Sequence, residues 1–198
     1  VAIRFASASR IGNKLPRTSN FWDGSAVVVN NSYESIATVT VGSGGAANIE
    51  FTSIPATYTH LQIRGIGRTT TGNFPTTLLY FNSDTGSNYS YHQILGDGGV
   101  AAAGAANQSL MVLPPTSGST QAASTFGVMV IDILDYKNTN KYKTVRALGG
   151  TDNNTTGQIT FNSNGWRNTN AITTIKVSPG SGNFAEYSSF ALYGIKGA

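Results

Sequence analysis

From Tyr33 onward the chain is written in short runs of alternating apolar and polar residues, separated by clusters of Gly, Asn, Asp, Ser and Pro. A period of two puts successive side chains on opposite faces of a strand, and the punctuating residues supply turn conformations. SIATVTV (35–41) ends in GSGG, NIEFTSI (48–54) ends at Pro55, and THLQIRGI (59–66) sets Leu61 and Ile63 against His60, Gln62 and Arg64. TTLLYFN (76–82) and YSYHQIL (89–95) follow, with Asp84-Thr85-Gly86 between them in the manner of a hairpin.

GGVAAAGAANQ (98–108) is expected to be a loop or a single helical turn, and SLMVLPP (109–115) a further strand. FGVMVIDILDY (126–136) is the most continuously apolar run, which predicts a central strand covered on both faces. KYKTVRAL (141–148), GQITFNS (157–163), AITTIKV (171–177) and EYSSFALYGI (186–195) supply its partners. About ten strands and no helix predict an all-β fold, an antiparallel β-sandwich of jelly-roll-like form. No solenoid or propeller repeat is present.

Residues 1–31 lack this alternation. Arg4, Arg10, Lys14 and Arg17 face only Asp23 before Gly24, and the rest of the chain carries nine basic and eight acidic residues. The basic character therefore belongs to the N-terminal segment, which reads as an extended arm preceding a single β-domain over 32–198. Arg4, Arg10, Lys14, Arg17, Phe21 and Trp22 are its candidate anchor to a partner, because exposed aromatics signify a contact.

Composition sharpens the picture. Charged residues make up 11% of the chain, under half of the roughly 25% usual in soluble proteins. A surface with few long Lys and Glu side chains loses less rotamer entropy when it is covered, which suits assembly. With no cysteine, disulfides and thiolate chemistry are excluded. No apolar run is long enough to span a bilayer and the N-terminus has no signal-peptide core, so a soluble chain without membrane contact is expected.

Candidate chemistry is sparse. Asp84-Thr85-Gly86 matches an aspartic protease tripeptide but occurs once and is flanked by turn formers. Asp152 to Gly157 spaces oxygen donors as a calcium loop does but lacks the closing Glu, and Asp97 sits in a Gly-rich turn. His60 and His92 fall in separate strands, no G-x-S-x-G elbow occurs, and Asp132 needs a partner such as Arg146 within an apolar strand. No catalytic residue, metal or cofactor is expected.

Two binding chemistries remain. Lys137, Lys141, Lys143 and Arg146 form a small basic cluster, with Lys141 and Lys143 on one strand face and Tyr142 on the other; edge protection explains this as well as nucleic acid does, and nucleic acid is not favoured. Trp166, Tyr89 and Tyr91, together with Tyr58 and Tyr187, amid many Asn and Ser residues, form a candidate carbohydrate surface, although Tyr and Trp equally fill subunit interfaces.

SYESIATVTVGSGG (32–45), FTSIPATYTHLQIRG (51–65), FNSDTGSNYSYHQILGDG (81–98), VIDILDYKNTNKYKTVRAL (130–148) and YSSFALYGIKG (187–197) together resemble a β-domain of structural proteins of tailed bacteriophages, particularly aquatic ones. The resemblance covers about four-fifths of the chain and carries no catalytic residues with it. It implies a non-enzymatic virion protein, with a capsid decoration or cement protein on the capsid surface preferred to a tail or fibre protein that binds host-surface glycan. The expected partners are the major capsid protein or other virion proteins, and copies of the chain itself, a trimer by preference.

Overall fold

The computed structural model describes residues 32–197. The expected arm and its anchor residues Arg4, Arg10, Lys14, Arg17, Phe21 and Trp22 lie outside those residues. The described chain contains no helix and twelve strands. These are β1 (Tyr33–Thr40), β2 (Ile49–Phe51), β3 (His60–Gly67), β4 (Thr77–Phe81), β5 (Tyr89–Gly96) and β6 (Val100–Gln108), then β7 (Met111–Leu113), β8 (Gly127–Leu134), β9 (Lys143–Asp152), β10 (Gly157–Trp166), β11 (Ile175–Pro179) and β12 (Ser189–Ile195).

They form an antiparallel β-sandwich. The larger sheet has the order β1-β12-β3-β8-β9-β10-β5-β6 and the smaller β2-β11-β4-β7. If the hairpins β5–β6 and β9–β10 are set aside, the other eight strands, renumbered in chain order, run 1-8-3-6 and 2-7-4-5. That arrangement is the double Greek key of a jelly roll. Both hairpins extend the larger sheet beyond β8, so β9, β10, β5 and β6 are additions to the jelly-roll frame.

The core follows from alternation. Leu61 and Ile63 of β3, Met129, Ile131 and Ile133 of β8, and Phe190 and Leu192 of β12 point inward from the larger sheet. Ile49, Phe51, Leu79, Phe81, Met111, Leu113, Ile175 and Val177 meet them from the smaller one. Each such side chain contributes roughly 1.5–3 kcal/mol on burial. Gly194 of β12 is needed where it stands, because an added Cβ would lie 2.3 Å from the ring of the buried Tyr58.

Several expectations change. Residues 98–108 are mostly strand, not loop or helical turn: after Gly98, whose φ is +109°, and Gly99, β6 pairs with β5 from Val100 onward. Ala has modest strand preference, so this strand is set by its partner and not by its own propensity. It is the element without a counterpart among the expected strands. Asp84-Thr85-Gly86 does not close a hairpin, because β4 and β5 lie in different sheets; it carries the chain from one sheet to the other. Strand β8 is central but covered on one face only, leaving Val128, Val130 and Leu134 exposed.

The turn at Asp152–Gly157 does close a hairpin, β9–β10, with Asn153 Oδ1 accepting from the backbone of Thr155 and Thr156 at 3.1 and 2.7 Å. Lys141 and Lys143 do not protect an edge, since β9 lies between β8 and β10. Lys143 is buried, and its ammonium donates to the carbonyls of Asn138, Lys141 and Thr169 at 2.6, 3.2 and 3.0 Å. Burial is the main cause that pushes its pKa down, with Asp135 opposing it and Lys141 adding to it. Lys141 instead pairs with Asp135, whose pKa is lowered chiefly by that contact, and His60 Nδ1 accepts from the Asp135 backbone at 2.9 Å.

Candidate interaction surface

Strand β10 carries the main anomaly. Its residues Thr160, Asn162, Asn164 and Trp166 face inward, while Ile159 and Phe161 face out. Ile159 is 59% exposed and Phe161 44%, whereas Asn162 is 0% and Asn164 2% exposed. In a monomer with solvent outside, a one-residue shift would bury the apolar set, so the observed register places apolar groups where water is. The inward polar groups are also poorly matched: Thr160 Oγ1, Asn162 Oδ1 and both side-chain polar atoms of Asn164 are buried without a hydrogen-bond partner. Of the side-chain polar atoms of Thr160, Asn162 and Asn164, only the Asn162 amide nitrogen is partnered, donating to Gln93 Oε1 at 3.3 Å and to the Val112 carbonyl at 3.2 Å.

Register extends this outward apolar set across the added hairpins. Val128 of β8, Gly150 of β9, Ile159 of β10, Gly96 of β5 and Val100 of β6 lie in one cross-strand row. Val130, Leu148, Phe161, Ile94 and Ala102 form the next. Ile66 of β3 extends the first row. All the large residues of both rows are exposed, Val100 most of all at 84%. Gly96 and Gly150 leave gaps in the first row, and a shallow groove of about 880 Å³ runs there between Val128, Leu148 and Ile159. A second, of about 510 Å³, lies between Ile94, Phe161 and the alanines of β6.

A polar margin bounds the band. Asp132, Arg146, Ser163 and His92 make the third row. Asp132 and Arg146 are cross-strand neighbours as expected, but the hydrogen bond to Asp132 Oδ1 comes from Gln62 Nε2 at 2.7 Å. Gln62 Oε1 in turn accepts from Tyr33 and from Arg64, whose guanidinium lies 5.7 and 5.9 Å from the stacked rings of Tyr33 and Tyr193. An apolar centre edged by paired polar groups is the usual anatomy of a protein interface.

The candidate carbohydrate residues are placed otherwise. Trp166 is 1% exposed and packs between Phe81 and Tyr89, at 5.5 and 6.3 Å between ring centroids, so it offers no stacking face. Its Nε1 donates to Asp84 Oδ2 at 2.8 Å. Tyr89 is fully buried, with its hydroxyl donating to the Asp84 carbonyl at 3.0 Å and accepting from the Phe81 backbone at 3.1 Å, and burial pushes its pKa up to about 12. Tyr58 is buried as well, donating to Glu34 at 3.0 Å; Tyr91 is half-buried, and Tyr187 is exposed. The five aromatics do not assemble into one surface. Among the described residues, no group of three or more His, Asp and Glu side chains gathers in a metal-binding arrangement.

The described residues form an antiparallel jelly-roll sandwich with one enlarged sheet. No family model, curated protein or solved structure matches it.

Alternation does not reveal the apolar band, because it separates two faces without saying which is inward. In GQITFNSNGW the signal is present as Ile159 and Phe161 against Thr160, Asn162 and Asn164, and it is read the natural way only if the apolar set is assumed to face the core.

Proposed function

We propose that this chain is a non-enzymatic structural protein of a bacteriophage particle, most simply a capsid decoration protein, and that the outer face of its larger sheet seats against other virion protein. The observation that carries this reading is the inverted polarity of β10, with Ile159 and Phe161 in solvent and Asn162 and Asn164 in the core. A register costly for an isolated domain becomes favourable once a partner covers the outer face, at roughly 25 cal/mol for each Å² of apolar surface removed from water. The low charge content supports the same reading, and the phage assignment itself rests on the resemblance of residues 32–198.

The arm residues Arg4, Arg10, Lys14, Arg17, Phe21 and Trp22 remain the proposed anchor, with the band as a second contact. The glycan-binding alternative loses Trp166 and Tyr89, which are buried, and no observation favours it.

Electron microscopy of particles labelled with antibody to the chain tests this reading. Label over the head is expected for the full chain, and loss of label is expected for Leu148→Lys combined with Phe161→Lys. Label confined to the tail would overturn decoration, and unlabelled particles would overturn the virion reading as a whole.

A further inference from the structure

Two sheets have four edges, and three of them are closed to further pairing. Strand β1 is interrupted by a bulge between Ser35 and Ala37 and carries Glu34, paired with Lys196 at 2.6 Å. Strands β2 and β7 are three residues long; Glu50 sits within the first, and Pro114-Pro115 follows the second. Bulges, charges, short length and proline are the usual devices that keep sheet edges from pairing.

The fourth edge, β6, has no charge and no proline, and its one bulge, at Ala106 and Asn107, lies at its far end. The strand is nine residues long, and among the described residues no strand lies on its far side. From Gly98 to Ile131 the chain has no charged residue at all. Regular pairing with β5 runs from Val100 to Ala105, and the bulge, with Asn107 at φ +56°, ends it.

We propose that β6 pairs antiparallel with β6 of a second copy about a two-fold axis near Ala103, joining the two larger sheets edge to edge. Three observations select a second copy over another occupant. A strand of Ala and Gly meets its own image with no bulky or charged side chain opposed, and a two-fold axis makes the contact self-complementary. The ends match in charge: Asp97 lies at the start of β6, and Arg167 holds its far end by donating to Asn107 Oδ1 at 2.5 Å. Antiparallel pairing brings Asp97 of each copy toward Arg167 of the other. Finally, Val100 and Ala102 belong to the apolar rows, so pairing makes the bands of the two copies continuous.

The size of the contact sets its strength. The six regularly paired residues span about 20 Å, well short of a standard interface of about 800 Å² per partner. A reversible dimer with a dissociation constant on the order of 10–100 μM is expected. This inference does not rest on the phage reading and predicts a two-fold dimer in place of the expected trimer.

Sedimentation velocity of the full chain from about 1 μM to about 1 mM tests it, with far-UV circular dichroism as the folding control. A monomer giving way to a dimer is expected. Ala103→Lys and Ala103→Glu, both at an exposed position, place like charges opposite each other and leave each variant monomeric, while their equimolar mixture recovers the dimer. A monomer at every concentration, a trimer, or a dimer that survives in both single variants would overturn the proposal.

Discussion

Trp166 Nε1 donates to Asp84 Oδ2 at 2.8 Å, tying the last residue of β10 to the turn that carries the chain between the two sheets. The same carboxylate accepts from Asn88 Nδ2 at 2.9 Å and, through Oδ1, from the Gly86 backbone at 2.8 Å. A tripeptide that looks catalytic when read alone is here the brace of a sheet-to-sheet crossing.

Asp84→Ala is expected to lower stability by roughly 2–3 kcal/mol, since it deprives a buried indole N–H of its acceptor. Burial alone would raise the Asp84 pKa, but the hydrogen bonds from Trp166, Asn88, Gly86 and Asn168 outweigh it and hold the group low. The stabilisation is therefore complete above the unfolded value of about 3.9 and is lost as pH falls through the lower folded value. Urea unfolding of wild type and variant from about pH 6 to about pH 2 checks this: the gap between them narrows toward the acid end.

Lys143→Met removes an ammonium that satisfies three carbonyls, and a loss of roughly 2–4 kcal/mol is expected. The pH dependence falls in a different window from that of Asp84. With the folded pKa of Lys143 depressed, the unfolded chain binds more protons between that value and about 10.4. Wild-type stability relative to Lys143→Met thus rises with pH across that window, which denaturant titration at alkaline pH measures.

Asn164→Leu replaces two unpartnered buried polar atoms with hydrocarbon and is expected to raise stability by about 1 kcal/mol. Phe161→Thr, on the outer face, is expected to change stability by no more than about 0.5 kcal/mol while reducing binding of a hydrophobic dye. A large loss for Phe161→Thr with a loss for Asn164→Leu would mean that the faces of β10 are the reverse of those described.

Gly194→Ala drives a methyl into the Tyr58 ring, and a loss of about 1–3 kcal/mol is expected by thermal or denaturant unfolding. Tyr58→Ala in the Gly194→Ala background makes room for that methyl, so the two losses are expected to be less than additive.

Residue order alone specifies the class of fold and most of its strands. Alternation in THLQIRGI and FGVMVIDIL, and the turn residues between such runs, act through local geometry that any environment preserves, so an all-β jelly-roll sandwich is legible without coordinates. The turn that Asn153 closes between β9 and β10 is legible for the same reason, because an Asn side chain satisfies its own local backbone.

Other features exist only once the strands are assembled. Whether Trp166 meets a sugar or Phe81 depends on which face of β10 turns inward, and a period of two is silent on that choice. The fate of Lys143 depends on carbonyls from Asn138 and Thr169, brought together only when β9 and β10 pair. Strand β6, all Ala and Gly at its centre, has little propensity of its own and exists because β5 offers it a ladder. The outward apolar band is likewise a property of six strands in register, since its rows draw on residues from Ile66 to Phe161 that only the sheet places side by side.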